Sequence, residues 1–188
     1  MLHSKGDLQE AINVARQNVA KVKNSKDLRL KIRCDIALAM LYVENSLEHV
    51  AASMLRECQT AAQIHSLENI DAMINRRLAY IDVVEGRIGD ALVKIKECEW
   101  IVTIRCPPLE KALFYMTMFA ACKKQEYSSP AARREFHHAG VPLLEKAAIA
   151  EAAKLYNSYN RITERDECAT LFCEIQARFP GQISWPIL

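Results

Sequence analysis

The chain has 188 residues, of which 51% are hydrophobic and 26% charged, with five Gly and six Pro and a net charge of +2. This is the composition of an ordered chain and excludes a long disordered tail. Few helix breakers beside abundant Ala, Leu, Glu, Lys and Arg favour helix over strand, because these side chains lose little freedom in a helix.

Charges interrupt every apolar run before it reaches the roughly 18 residues of a membrane span. Met1 to Val22 also lacks the basic start and continuous apolar stretch of a secretory signal. The expectation is a soluble, intracellular chain. The seven cysteines, at 34, 58, 98, 106, 122, 168 and 173, are odd in number and never spaced C-x-x-C, so reduced core thiols are expected over a disulfide or metal set. Charge is uneven: residues 1–33 carry eight basic and three acidic side chains, a net +5, which leaves −3 for the remainder. Such an end attracts acidic partners or forms the solvated rim of two helices; with no interleaved aromatics it is not a nucleic-acid signature.

In chain order, Gly6-Asp7-Leu8 opens a first helix, with Asp7 and Glu10 placed to cap it and Leu8, Ile12, Ala15, Val19 and Val22 at helical spacing. A turn at Lys23-Asn24-Ser25 follows. A helix pair then spans about Asp27 to Glu44 and Leu47 to Ile64. Ser66 is placed to cap a third unit, Leu67 to Cys106, whose two helices meet at Gly86-Arg87-Ile88-Gly89-Asp90; Gly86 suits a left-handed cap. Pro107-Pro108 stops that unit and starts a helix from Leu109 to about Gln125. A loop at 126–129 and a short helix from Pro130 to His138, ending at Gly140, come next. Val141-Pro142 opens a final pair, to about Asn157 and from Glu164 to Phe179, with a turn at Asn160-Arg161-Ile162 and a capping box at Thr163 and Asp166. The domain is expected to fill residues 1–180, with 181–188, including Trp185 and Pro186, as a short apolar tail.

A step of 40 residues organises the chain. Ala11, Ala51, Ala91 and Ala131 form one series, and Ala39 and Ala79 another. Small residues at these points let paired helices approach closely. In this register the first helix is the second of a pair, so the sequence reads as starting in mid-repeat and as part of something longer. Two-helix units with Gly-Asp at the turn resemble tetratricopeptide repeats, which usually run about 34 residues. That likeness implies an all-α fold: an αα-superhelix, or right-handed tetratricopeptide-like solenoid, with long helices, a repeat of about 40 residues and a concave surface.

Positions that line the groove in tetratricopeptide proteins fall on Arg33, Ile36, Met40 and Val43, then Met73, Arg76, Arg77 and Tyr80, then Leu113, Met116 and Lys123. As a partner-binding wall, Arg33, Met40, Met73, Arg76, Arg77, Tyr80, Met116 and Lys123 would suit an extended or helical acidic peptide, with Arg76 and Arg77 as charge anchors. The plainer reading makes the Met and Leu core and the arginines solvated or paired.

Catalytic signals are lacking. His137 and His138 are adjacent and so point apart on a helix, a poor chelate even beside Glu135. Helical spacing brings no histidine to Cys34 or Cys98, and Gly86 to Asp90 follows a helix and is too short for a phosphate loop. No enzyme, metal, cofactor, small-molecule substrate or membrane partner is expected.

Ala153-Lys154-Leu155-Tyr156, then Glu164-Arg165, Cys168-Ala169 and Leu171-Phe172, resemble the C-terminal end of anaphase-promoting complex subunit 5, a family that also ends in a proline and an apolar tail, here Pro180 and Ile183 to Leu188. The resemblance implies a non-catalytic platform subunit of a multi-subunit ubiquitin ligase controlling mitotic progression. Its partners would be other protein subunits of that assembly, in the nucleus and cytoplasm. A stand-alone peptide-binding adaptor, or a nucleic-acid-binding helical repeat using the basic first 33 residues, are the alternatives.

Overall fold

A computed structural model describes residues 5–122 and 128–180. Among these residues the chain forms nine α-helices: α1 (Lys5–Val22), α2 (Leu28–Glu44), α3 (Glu48–Ile64), α4 (Glu68–Val84), α5 (Ile88–Arg105), α6 (Pro108–Cys122), α7 (Ser128–His138), α8 (Pro142–Ser158) and α9 (Ile162–Arg178). No strand occurs among the described residues, and none of their helices is long and apolar enough to cross a membrane. The expected tail at 181–188 lies outside them. The chain divides into two compact units, Met1–Cys98 and Glu99–Ser184, where the sequence implies one domain through residue 180.

The first unit is built by sequential pairing: α1 packs on α2, α2 on α3 and α3 on α4, and α2 also touches α4. Ala39, Ala51, Ala79 and Ala91 are fully buried, as the two alanine series require. The outer members depart from the series. Ala11 and Ala131 are half-buried, and Ala132 and Phe136, both 0% exposed, take the inward places on α7 one position further along. In the second unit α6 packs on α7, α7 on α8 and α8 on α9, around Ala112, Phe114, Ala148 and Ile149.

Five turns share one geometry. Ser46, Ser66, Gly86, Gly140 and Asn160 have positive φ, between 52° and 78°. At each, two backbone bonds close the preceding helix: Leu47 N–H donates to Tyr42 O at 2.9 Å and Ser46 N–H to Val43 O at 3.0 Å, and the same pair recurs from Leu67 and Ser66, Arg87 and Gly86, Val141 and Gly140, and Arg161 and Asn160. These are Schellman motifs, which satisfy the last carbonyls of a helix and need a left-handed residue. The left-handed residues fall at 46, 66 and 86 and again at 140 and 160, so a helix plus turn spans 20 residues.

The motif also fixes where the next helix begins. The residue after the left-handed one becomes the N-cap: Leu47, Leu67, Val141 and Arg161 hold that place with no side-chain cap bond. Two expected caps therefore fail. Ser66 is the left-handed terminator of α3 and not the cap of α4, and Thr163 lies inside α9, where Asp166 accepts from Arg165 at 2.7 Å instead. Asp27 does cap α2, its Oδ1 accepting from Leu30 N–H at 3.0 Å.

First helices start at 28, 68 and 108 and second helices at 48, 88 and 128, which is the expected step of 40; the last pair starts at 142 and 162, a step of 34. The shortening sits in α7, which has 11 residues against 18 in α5. The final repeat thus has the length usual for tetratricopeptide units.

Candidate protein-interaction surfaces

The groove-lining set does not form one accessible wall. On α2, Arg33 is exposed and Met40 half-buried. On α4, Met73 is half-buried, whereas Arg76 is 0% exposed, Arg77 9% and Tyr80 5%. Met116 on α6, in the second unit, is 3% exposed, and Lys123 lies outside the described residues. Arg76 and Arg77 are therefore not open charge anchors. The reason is the surroundings of α4: every residue from Arg76 to Asp82 is buried, which a helix achieves only when neighbours enclose all its sides. Arg77 turns back along its own helix, donating from Nη1 to Met73 O at 2.8 Å. The Tyr80 hydroxyl is pushed up to about 12, by burial first and then by the nearby Glu44 carboxylate.

Polar chemistry at the end of α4 is likewise turned inward. Asp82 is 5% exposed; it accepts from Arg87 Nε at 3.0 Å and pairs with Lys94 Nζ of α5 at 2.7 Å. Arg87 also pairs with Glu85, and these carboxylates raise the guanidinium pKa by hydrogen bonding. One buried anion thus joins the end of α4, the turn and the first turns of α5. Where the previous repeat has Tyr42, the same register position holds an aromatic cap, with Arg16 of α1 5.6 Å from the ring centroid and its Nε donating to the hydroxyl at 3.0 Å.

The thiols are packing groups of graded depth. Cys58, Cys98 and Cys106 are buried, Cys34, Cys122 and Cys168 intermediate, and Cys173 exposed; none is in a disulfide. Burial pushes the Cys58 thiol up to about 12, with Asp35 and Glu57 adding to it. A thiol held there is a poor nucleophile at neutral pH. The His137 and His138 rings stand 6.5 Å apart and tilted by 59°; His137 Nδ1 lies 3.2 Å from Glu145 Oε2.

In the second unit the start of α8 meets α7 and α9 around a cleft of about 350 Å³ with Arg133, His137, Glu145, Leu171, Arg178 and Phe179 among its lining. Glu145, 6% exposed, holds its floor through Arg133 at 3.5 Å and His137. Beside it Lys146, 3% exposed, reaches α9, donating to Gln176 Oε1 at 2.6 Å, with its ammonium 5.7 Å from the Phe172 ring centroid. Sequence reasoning missed this cluster, since no spacing links Glu145 to Arg133 and His137 across the Gly140 turn. On α5, Trp100 is 60% and Ile104 63% exposed, with the Arg105 guanidinium 5.0 Å from the Trp100 ring centroid.

Stacked helix pairs with left-handed turns and exposed apolar side chains define a helical-repeat protein of the interaction class. Solved structures agree on the fold: BtubC (BKLC) from P. vanneervenii, at 16% identity and a TM-score of 0.63, covers 98% of this chain with 79% of its own. A Podosopora anserina putative kinesin light chain with nearly identical TPR-like repeats, at 17% identity and a TM-score of 0.59, covers 93% of this chain with 89% of its own.

The chain belongs to the family of the suppressor of spindle checkpoint defect 1 C-terminal domain, whose profile matches residues 1–188. It is also similar to Protein gfi-3 of Caenorhabditis elegans, 23% identical over 173 residues that make up 88% of this chain and 22% of that protein. The chain thus spans about a fifth of the length of that curated relative. This overturns the resemblance to anaphase-promoting complex subunit 5, which no matching family supports. The residues that carried it serve general packing: Leu155, Tyr156, Leu171 and Phe172 are half-buried on α8 and α9, which pack together. Such positions recur in any αα-repeat.

Proposed function

We propose that the chain is a non-catalytic scaffold segment that holds protein subunits of a larger assembly acting in mitotic progression. The fold already assigns it to protein–protein interaction. The observation that carries the scaffold reading is the division of its side chains: Arg76, Asp82, Glu145 and Lys146 are buried in helix packing, while Trp100 and Ile104 stand in water. Exposed large apolar groups on a repeat protein mark surfaces that partners cover. The mitotic setting is supported by the family's description, which refers to a spindle checkpoint defect. Within that setting the assembly we infer is a multi-subunit ubiquitin ligase, the anaphase-promoting complex, with the protein in nucleus and cytoplasm.

The test is affinity purification of the full-length protein from dividing cells, with quantitative mass spectrometry. Subunits of one assembly in fixed proportion are the expected result. Recovery of the protein alone would sink the scaffold reading; a stable set of partners without ubiquitin-ligase subunits would sink only the choice of assembly.

A further inference from the structure

The outward face of α2 carries a stripe whose charge the chain leaves unneutralised. Lys26, just before the helix, and Arg29, Arg33, Ala37 and Met40 recur at three- and four-residue steps and lie opposite the buried Ile32, Ile36 and Ala39. Lys26, Arg29, Arg33 and Ala37 are exposed, Met40 is half-buried, and Leu30 beside them is 43% exposed. Elsewhere the exposed cations are matched: Arg87 with Asp82, Lys154 with Glu151, Arg161 with Glu164 and Arg165 with Asp166. Lys26, Arg29 and Arg33 have no such carboxylate.

Their position adds to the field. The N-terminus of a helix already carries the positive end of its macrodipole, so cations there destabilise the free helix. The first turn of α2 holds no acidic residue, and Asp27, the N-cap, is spent on Leu30 N–H. The basic half of the stripe spans about 10 Å along the axis, two helical turns, and Met40 closes it with an adaptable apolar end.

We infer that this face of α2 docks an acidic amphipathic helix of a partner protein, whose carboxylates at i, i+3 and i+7 meet Lys26, Arg29 and Arg33 and whose apolar residues meet Leu30 and Met40. The inference rests on the scaffold reading and names the chemistry of one of its partners. A single-stranded nucleic acid fits less well, because the face has no aromatic ring on which a base stacks.

Fluorescence anisotropy of the 188-residue chain tests this with four labelled probes: a helical peptide with Glu at i, i+3 and i+7 around Leu, a scrambled peptide of the same composition, polyglutamate, and a 20-nucleotide single strand. The expected result is binding of the patterned helix at least tenfold tighter than each of the other probes. Arg29→Glu with Arg33→Glu should lower that affinity at least tenfold while the melting temperature holds or rises, and the milder Arg29→Gln with Arg33→Gln should give a smaller loss. Equal binding of the scrambled peptide or polyglutamate, tighter binding of the nucleic acid, or no effect of the substitutions would overturn the inference. None of these outcomes touches the co-purification result on which the scaffold reading stands.

Discussion

Asp82 Oδ2 lies 2.7 Å from Lys94 Nζ, so the last turn of α4 and the first turns of α5 share one ion pair whose carboxylate is 6% exposed. Lys94, at 30%, keeps part of its solvation, so the cost of losing each partner differs. Lys94→Met leaves a buried anion with Arg87 alone and should destabilise by about 1–3 kcal/mol. Replacing both partners, as Asp82→Leu with Lys94→Met, should cost less than the sum of the single changes by at least about 0.5 kcal/mol. Urea denaturation of the four variants measures the coupling, and strict additivity would remove the pair from the account of how the helices are joined.

The left-handed turns give a prediction of opposite sign. Ser66 adopts φ 52° where Gly86 adopts 78° in the equivalent place one half-repeat later. A side chain in this region costs roughly 1–2 kcal/mol, offset in part by the entropy glycine loses on folding. Ser66→Gly should therefore stabilise the chain by about 0.5–1 kcal/mol. Gly86→Ala should lose about 1 kcal/mol, through backbone strain alone, because a Cβ at Gly86 would meet no atom within 4 Å. If Ser66→Gly melts lower than the parent, the serine side chain contributes something beyond the turn.

Most of this fold is legible in the sequence because its determinants are local. Ala39, Ala51, Ala79 and Ala91 mark the helix crossings, Gly86 and Asn160 the turns, and Pro108 the start of α6. The expected caps at Ser66 and Thr163 fail because serine and threonine have two uses at a helix junction, and only the backbone shows which applies. The groove anchors fail for a tertiary reason. Periodicity gives α4 one open face, and the enclosure of Arg76 to Asp82 on all sides depends on neighbours distant in sequence. The same holds for Glu145, whose partners Arg133 and His137 precede a turn that reverses the chain. By contrast, the basic stripe on α2 is readable as excess charge before any coordinate is known.

Asp35 offers a pH-dependent test. Burial raises its carboxyl above the ordinary range, and Glu57 on α3 adds to the shift. A carboxyl raised in the folded state makes its charged form unfavourable there, so the penalty is present at neutral pH. It vanishes below the unfolded value near about 4, where both states are protonated. Asp35→Asn should accordingly raise the melting temperature at pH 7, by on the order of 1–2 °C for a chain of this size, and leave it unchanged at pH 3. A gain that is the same at both pH values would show that the amide stabilises by packing or hydrogen bonding and not by removing charge.

The cysteines separate a packing role from a reactive one. Cys173 stands exposed on α9, whereas Cys58 is buried with its thiol pushed up to about 12. At pH 8 a thiol with that value is ionised in roughly one molecule in ten thousand, and the thiolate is the reacting species. Iodoacetamide at pH 8 should therefore modify Cys173 first, and Cys58 should react only after the chain is unfolded in urea, as peptide mass spectrometry over a time course will report. Cys34, Cys122 and Cys168, at intermediate depth, should fall between the two. Labelling of Cys58 in the folded chain at the rate of Cys173 would mean that α3 opens readily from its neighbours. The fully buried Ala51, Leu55 and Ala62 on the same helix argue against such opening, because local unfolding there would expose the centre of the first unit.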